Sequence, residues 1–109
     1  MKTRSTIARG VALLDETVPG WEHDIKLDTL DLSSICGCVC GQIAKREGKF
    51  MSREGKFMSR YIAGLALLGL EARDGAEYGF ALATGVYAKL TDEWTRVIRA
   101  KRRGEEITS

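Results

Sequence analysis

Apolar residues recur in this chain at intervals of three and four. Ile7, Val11 and Leu14 form one such set, Ile35, Val39 and Ile43 a second, Tyr61, Leu65 and Leu68 a third, and Trp94, Val97 and Ile98 a fourth. At 3.6 residues per turn, each set falls on one side of a helix and has to be buried against something else. Only LDTLDL (27–32) alternates apolar with polar residues, and then briefly, so it reads as an extended connection. The pattern predicts a mainly α fold, a compact single-domain bundle of four to five short helices over residues 1–104. EEITS (105–109) is expected to be a frayed tail.

Punctuation places the elements. A first helix is expected over 5–15, capped by Ser5 or Thr3. It is stopped by Thr17-Val18-Pro19-Gly20, where the only proline of the chain biases Val18 away from helical geometry. Trp21 and Ile25, one turn apart, suggest a short helix, and Asp31, Ser33 or Ser34 is placed to cap the helix through Ile35, Val39 and Ile43. YIAGLALLGLEA reads as a buried helix and ARDGAEYGF as a turn. Thr91 is the expected cap of the last helix, with Asp92 and Glu93 in its first turn and Gly104 at its end. The expected core is Ile7, Val11, Leu14, Trp21, Ile25, Leu30, Val39, Ile43, Tyr61, Leu65, Leu68, Phe80, Trp94, Val97 and Ile98.

Residues 46–59 spell REGKFMS twice without a change. Seven residues make almost two helical turns, so a duplication of this length hardly alters the apolar phase. Ile43, Phe50, Phe57 and Tyr61 would share one face of a longer continuous helix, with Met51 and Met58 at its edge. Gly48 and Gly55 oppose that helix by about 1 kcal/mol each. With Phe50 and Phe57 at a positions, the d positions are Arg46, Arg53 and Arg60, which makes a poor coiled-coil seam. The repeat therefore reads as a duplication tolerated because it preserves helical phase, with a basic-aromatic patch as the functional reading.

The chain has 109 residues, 44% hydrophobic and 29% charged, which suits one folded domain with one modest core. Its longest apolar run, YIAGLALLGL, is about half the ~20 residues a bilayer requires. The N-terminal stretch has basic residues ahead of apolar ones, but Arg9 and Gly10 interrupt it and Asp15 closes it, so a secretory leader is not expected. A cytoplasmic protein is the expectation. The net charge of +2 is unevenly spread. Six acids against the single base Lys26 lie between Asp15 and Asp31, whereas six bases against two acids lie between Lys45 and Arg60. Such blocks either attract an anionic partner or face one another within the fold.

Signatures of chemistry are sparse. Cys36, Cys38 and Cys40 form a single cluster with one distant histidine, His23, where a structural zinc site needs two separated ligand pairs. Small core residues in a reducing compartment explain them better, and no neighbouring base activates a thiol. Asp28 with Asp31, or Asp15 with Glu16, makes no acid/base pair without a pocket. The glycines match neither a dinucleotide fingerprint nor a P-loop. No catalytic residue, metal or cofactor is expected.

In order along the chain, ALLDETVPGW, LDLSS, CVCGQ, AGLALLGL, EYGF and KLTDEWTRVI resemble a group of small uncharacterised proteins encoded by viruses of actinobacteria, mycobacteriophages among them, and by prophages. The resemblance runs from Val11 to about Ile98, anchored on Pro19-Gly20-Trp21 and Trp94. The group carries one cysteine in a CVLGQ-type stretch, so Cys36 and Cys40 are departures from it, as is the duplication at 46–59. The resemblance implies origin and fold and carries no activity with it.

The expected function is accordingly a non-enzymatic accessory protein of viral origin, acting in the host cytoplasm by binding a host or viral protein. The alternative is a nucleic-acid binder using the basic segments 45–60 and 96–103. In either case the anion- or partner-binding candidates are Lys45, Arg46, Lys49, Arg53, Lys56, Arg60, Arg96, Arg99 and Arg103.

Overall fold

The computed structural model describes residues 2–34, 37–47, 60–82 and 86–104. These hold four α-helices, α1 (Lys2–Thr17), α2 (Val39–Glu47), α3 (Arg60–Leu67) and α4 (Tyr87–Arg102), and no strand. Two single 3-10 turns, Trp21–His23 and Ala72–Asp74, sit in the connections. The mainly α bundle is thus observed. Its Cα radius of gyration of 12.9 Å is close to the ~13 Å expected of a compact chain this long.

Each apolar stripe ends up in one core. Ile7, Val11 and Leu14 of α1, Val39 and Ile43 of α2, Leu65 of α3 and Trp94, Val97 and Ile98 of α4 are all buried. Trp21, Ile25, Leu30, Leu32, Leu68 and Phe80 join them from the connections. Trp94 is the hub. It meets Trp21 edge to face at 6.0 Å and stacks on Phe80 at 5.5 Å, and its indole N–H donates to the Gly79 carbonyl at 2.6 Å. The bond satisfies the one polar atom of a ring whose burial is otherwise hydrophobic gain. Tyr61 is only half-buried at the edge of this core.

The helix boundaries depart from the expectation in an instructive way. Ser5 and Thr3 lie inside α1, and Thr91 lies inside α4, which begins four residues earlier. Apolar spacing reports where a buried face begins, not where the hydrogen-bond ladder does. Leu90, missed from the expected core, is buried one turn ahead of Trp94. Thr91, freed from capping, accepts the Leu32 N–H on its hydroxyl at 2.9 Å and so ties the 30–34 segment to α4.

The 27–32 segment is a succession of turns and not an extended connection, with Thr29 N–H donating to Lys26 O and Leu30 N–H to Leu27 O. Asp31 and Ser34 build turns and do not cap α2: Asp31 Oδ1 accepts from Ser33 N–H and Oγ, and Ser34 Oγ accepts from Gly37 N–H. The cap of α2 is Cys38, whose sulfur accepts the Gly41 N–H at 3.2 Å, the bond that a serine hydroxyl usually accepts there. Ile35 lies outside the described residues.

Helix α3 is shorter than the apolar run that codes for it. Gly69, at φ +75°, closes it with paired bonds from Leu70 N–H to Leu65 O and from Gly69 N–H to Ala66 O, the two-bond ending that favours glycine. Helices α2 and α3 pack side by side. On one straight helix Cys40 and Gly64 would stand ~36 Å apart, yet a Cβ on Gly64 would touch the Cys40 backbone. One unbroken helix through both is therefore excluded. The duplicated segment itself, from the Arg46 side chain to residue 59, lies outside the described residues.

A candidate anion-binding cleft

Two buried anchors hold the first wall of a cleft. Trp21 and Ile25 of the 21–26 loop insert into the core, leaving Asp24 and Lys26 on either side of Ile25 exposed. The loop is also held from α4. Arg102 donates from Nε to the Glu22 carbonyl at 2.7 Å and from Nη2 to the Ile25 carbonyl. The Trp21 indole donates to Asp15 Oδ1 at 2.9 Å, and the same carboxylate pairs with Lys101 at 2.8 Å.

The second wall is α2, and Gln42 joins it to the first. Its Oε1 accepts the Lys26 N–H at 2.7 Å, while Nε2 donates to the carbonyls of Lys26 at 3.2 Å and Gly37 at 3.0 Å. The amide thereby substitutes for a second backbone strand. Lys45 follows Gln42 by three residues on α2, and Arg60 opens α3 opposite it. Together Asp24, Lys26, Thr29, Ser34, Gly37, Gln42, Lys45 and Arg60 line an open cleft of about 610 Å³.

The lining holds three cationic side chains and one carboxylate. Lys26 and Lys45 are exposed, and their ammonium groups pair with no carboxylate among the described residues. The neutral polar groups are already engaged. Both ends of the Gln42 amide are bonded, Ser34 Oγ accepts from Gly37 N–H, and Thr29 Oγ1 donates to Lys26 O at 3.4 Å. What the cleft has left to offer is positive charge and ammonium N–H donors, which is the chemistry of anion recognition.

Of the basic residues singled out in the sequence, Lys45 and Arg60 meet here. Arg96, Arg99 and Arg103 do not line the cleft. Arg96 is held by Glu93 at 3.0 Å, and Arg99 and Arg103 are exposed along and just beyond α4. Lys49, Arg53, Lys56 and the Arg46 side chain lie outside the described residues. Sequence reasoning missed Lys26 and Gln42, and it placed Lys101 and Arg102 in the basic segment 96–103 without their contacts. A signal existed for two of them: Lys101 and Arg102 stand one turn beyond Val97 and Ile98, so α4 turns them toward the core side and the acidic segment. The acidic segment thus faces the basic end of α4 at Lys101–Asp15 and along the Glu22 backbone.

The other candidates are built into the fold. Cys38 and Cys40 are both about 1% exposed. Burial first, and then the nearby Cys38, pushes the Cys40 thiol well above its ordinary value, so it stays protonated and unreactive. Cys36 lies outside the described residues. His23 is 65% exposed and stands 3.9 Å from Glu22. Asp31 has its carboxyl held below the usual range by the Ser33 hydroxyl and then by the Ser33 N–H. Among the described residues no three His, Cys, Asp or Glu side chains gather as a metal site would require. Nor is any helix among them long and apolar enough to cross a membrane. No family model, curated protein or solved structure matches this chain.

Proposed function

We propose that this chain is a small non-enzymatic accessory protein of phage origin that acts in the bacterial cytoplasm by binding a protein of the virus or of its host. The observation that carries this reading is the cleft of Lys26, Lys45 and Arg60, whose walls are pinned by Gln42 and whose cationic lining outnumbers its carboxylate. A preformed site of this kind suits recognition, because little ordering entropy remains to be lost on binding. The buried, protonated Cys40 and the solvent-facing His23 supply no nucleophile-base pair. The origin rests on the resemblance to small proteins of actinobacterial viruses.

The test is affinity capture from an actinobacterial lysate, with the parent and a Lys26→Glu/Lys45→Glu variant run side by side. A discrete protein retained by the parent, resistant to nuclease and lost with the variant, is the expected result. Retention that disappears with nuclease would transfer the function to nucleic-acid binding through 45–60 and 96–103.

A further inference from the structure

Resting on that protein-binding reading, we infer that the cleft is the docking site for a short acidic segment of the partner, whose carboxylates are taken by the ammonium groups of Lys26 and Lys45, with the charge of Arg60 adding to the positive lining. Three features of the structure lead there. The first is the division of labour in the lining. Gln42, Ser34 and Thr29 all bond to the backbone of Lys26 or Gly37, so they fix the walls. The ammonium groups of Lys26 and Lys45 are left for the occupant. Neither enters an ion pair among the described residues.

The second feature is the quantity of charge. Three cations against Asp24 leave a small positive excess, matched by one or two carboxylates. A volume of about 610 Å³ lies inside the ~300–1,000 Å³ of ordinary ligand pockets, room for a few residues and no more.

The third is what α4 does with its positive charge. A nucleic-acid track needs phosphate contacts spread along a surface. Among the described residues, Arg96 is paired with Glu93, Lys101 with Asp15 and Arg102 with two backbone carbonyls, and the exposed Arg99 and Arg103 do not line the cleft, so α4 adds no cation to it. Exposed Asp28 and Asp31 lie on the segment that continues from Lys26. They repel a densely charged phosphate backbone while leaving a short carboxylate segment its one discrete seat.

The experiment is fluorescence anisotropy of the full chain with a short labelled peptide of alternating Glu and Gly, its Gln counterpart, and a labelled oligonucleotide, at physiological salt. The Glu peptide is expected to bind saturably and the Gln peptide and oligonucleotide not to. Lys26→Glu/Lys45→Glu should weaken Glu-peptide binding by about tenfold or more. Lys26→Arg/Lys45→Arg should retain it, and Lys89→Glu, an exposed charge change on α4 away from the lining, should leave it unaltered. Circular dichroism of each variant establishes that the helices persist. Equal binding of Glu and Gln peptides, no saturable peptide binding, or preferential oligonucleotide binding lost in the Glu variant would each overturn the inference. The two readings fail separately. A captured partner indifferent to Lys26→Glu/Lys45→Glu refutes the cleft but keeps protein binding, whereas Glu-peptide binding with no captured partner does the reverse.

Discussion

At Gly64 the α3 backbone lies so close to α2 that a Cβ has no room, and replacing it by alanine turns a normally stabilising change into a damaging one. In the middle of an unobstructed helix, Gly→Ala adds about 1 kcal/mol of stability. At Gly64 the new Cβ would stand 2.6 Å from the carbonyl carbon and 2.8 Å from the Cα of Cys40, and closer still to its carbonyl oxygen. Carbon atoms prefer ~3.5–4.0 Å, so α2 has to withdraw by about an ångström. The atoms in the way are backbone, and no rotamer change clears them. Overpacking of this kind costs about 1–3 kcal/mol; taken at its upper end and set against the helix-propensity gain, the net loss is about 2 kcal/mol.

That loss should lower the melting temperature by roughly 10 °C, since ~1 kcal/mol moves a domain near this size by about 4–8 °C. Thermal and urea unfolding followed by circular dichroism measure it, with an unchanged urea slope showing that only stability has moved. Gly69→Ala is the companion. It has φ +75° and nothing within 4 Å, so only the left-handed backbone penalty of about 1–2 kcal/mol applies. Cys40→Ala placed on top of Gly64→Ala should restore nothing, because the obstructing atoms belong to the main chain. A Gly64→Ala protein that melts at or above the parent, or one rescued by Cys40→Ala, would refute the reasoning. Because α2 and α3 bear Lys45 and Arg60, Gly64→Ala should also weaken Glu-peptide binding in the cleft.

Two further outcomes follow from the same packing. Burial first, and the neighbouring Cys40, Cys38 and Tyr87 after it, pushes the Tyr61 phenol from an ordinary 10.0 up to about 12. The folded state thus favours the neutral phenol, so its stability contribution is complete below pH 10 and is lost as the pH rises through about 12. Tyrosinate absorbance should show one late-titrating phenol that disappears in Tyr61→Phe. Since the Tyr61 hydroxyl is buried with no partner among the described residues, that variant should be as stable as the parent or more so at neutral pH. Deleting one copy of the repeat, 53–59, shortens the connection between α2 and α3 from twelve residues to five. Five is within the ordinary two to eight for helix–helix connections. The deletion variant should fold and melt within several degrees of the parent; failure to fold would make the second copy structural.

The helical stripes were legible in the sequence because they are local and because apolar burial is non-directional. A residue such as Leu14, Ile43 or Val97 needs only to face inward, and its spacing says which way that is. Most of the core could be read on that ground, with Tyr61 reaching only its edge and Val18, Leu32, Cys38, Cys40 and Leu90 left out. What spacing could not say is which polar group meets which. Gln42 with Lys26, Thr91 with Leu32, and Arg102 with Glu22 join positions far apart in the chain. Hydrogen bonds are directional and depend on how two elements dock, and nothing in the local pattern of either element records its partner. The same holds for charge. The sequence displays basic blocks and an acidic one, but only the docked helices decide that Lys101 and Arg102 meet the acidic segment while Lys26, from that segment, joins Lys45 and Arg60 in the cleft.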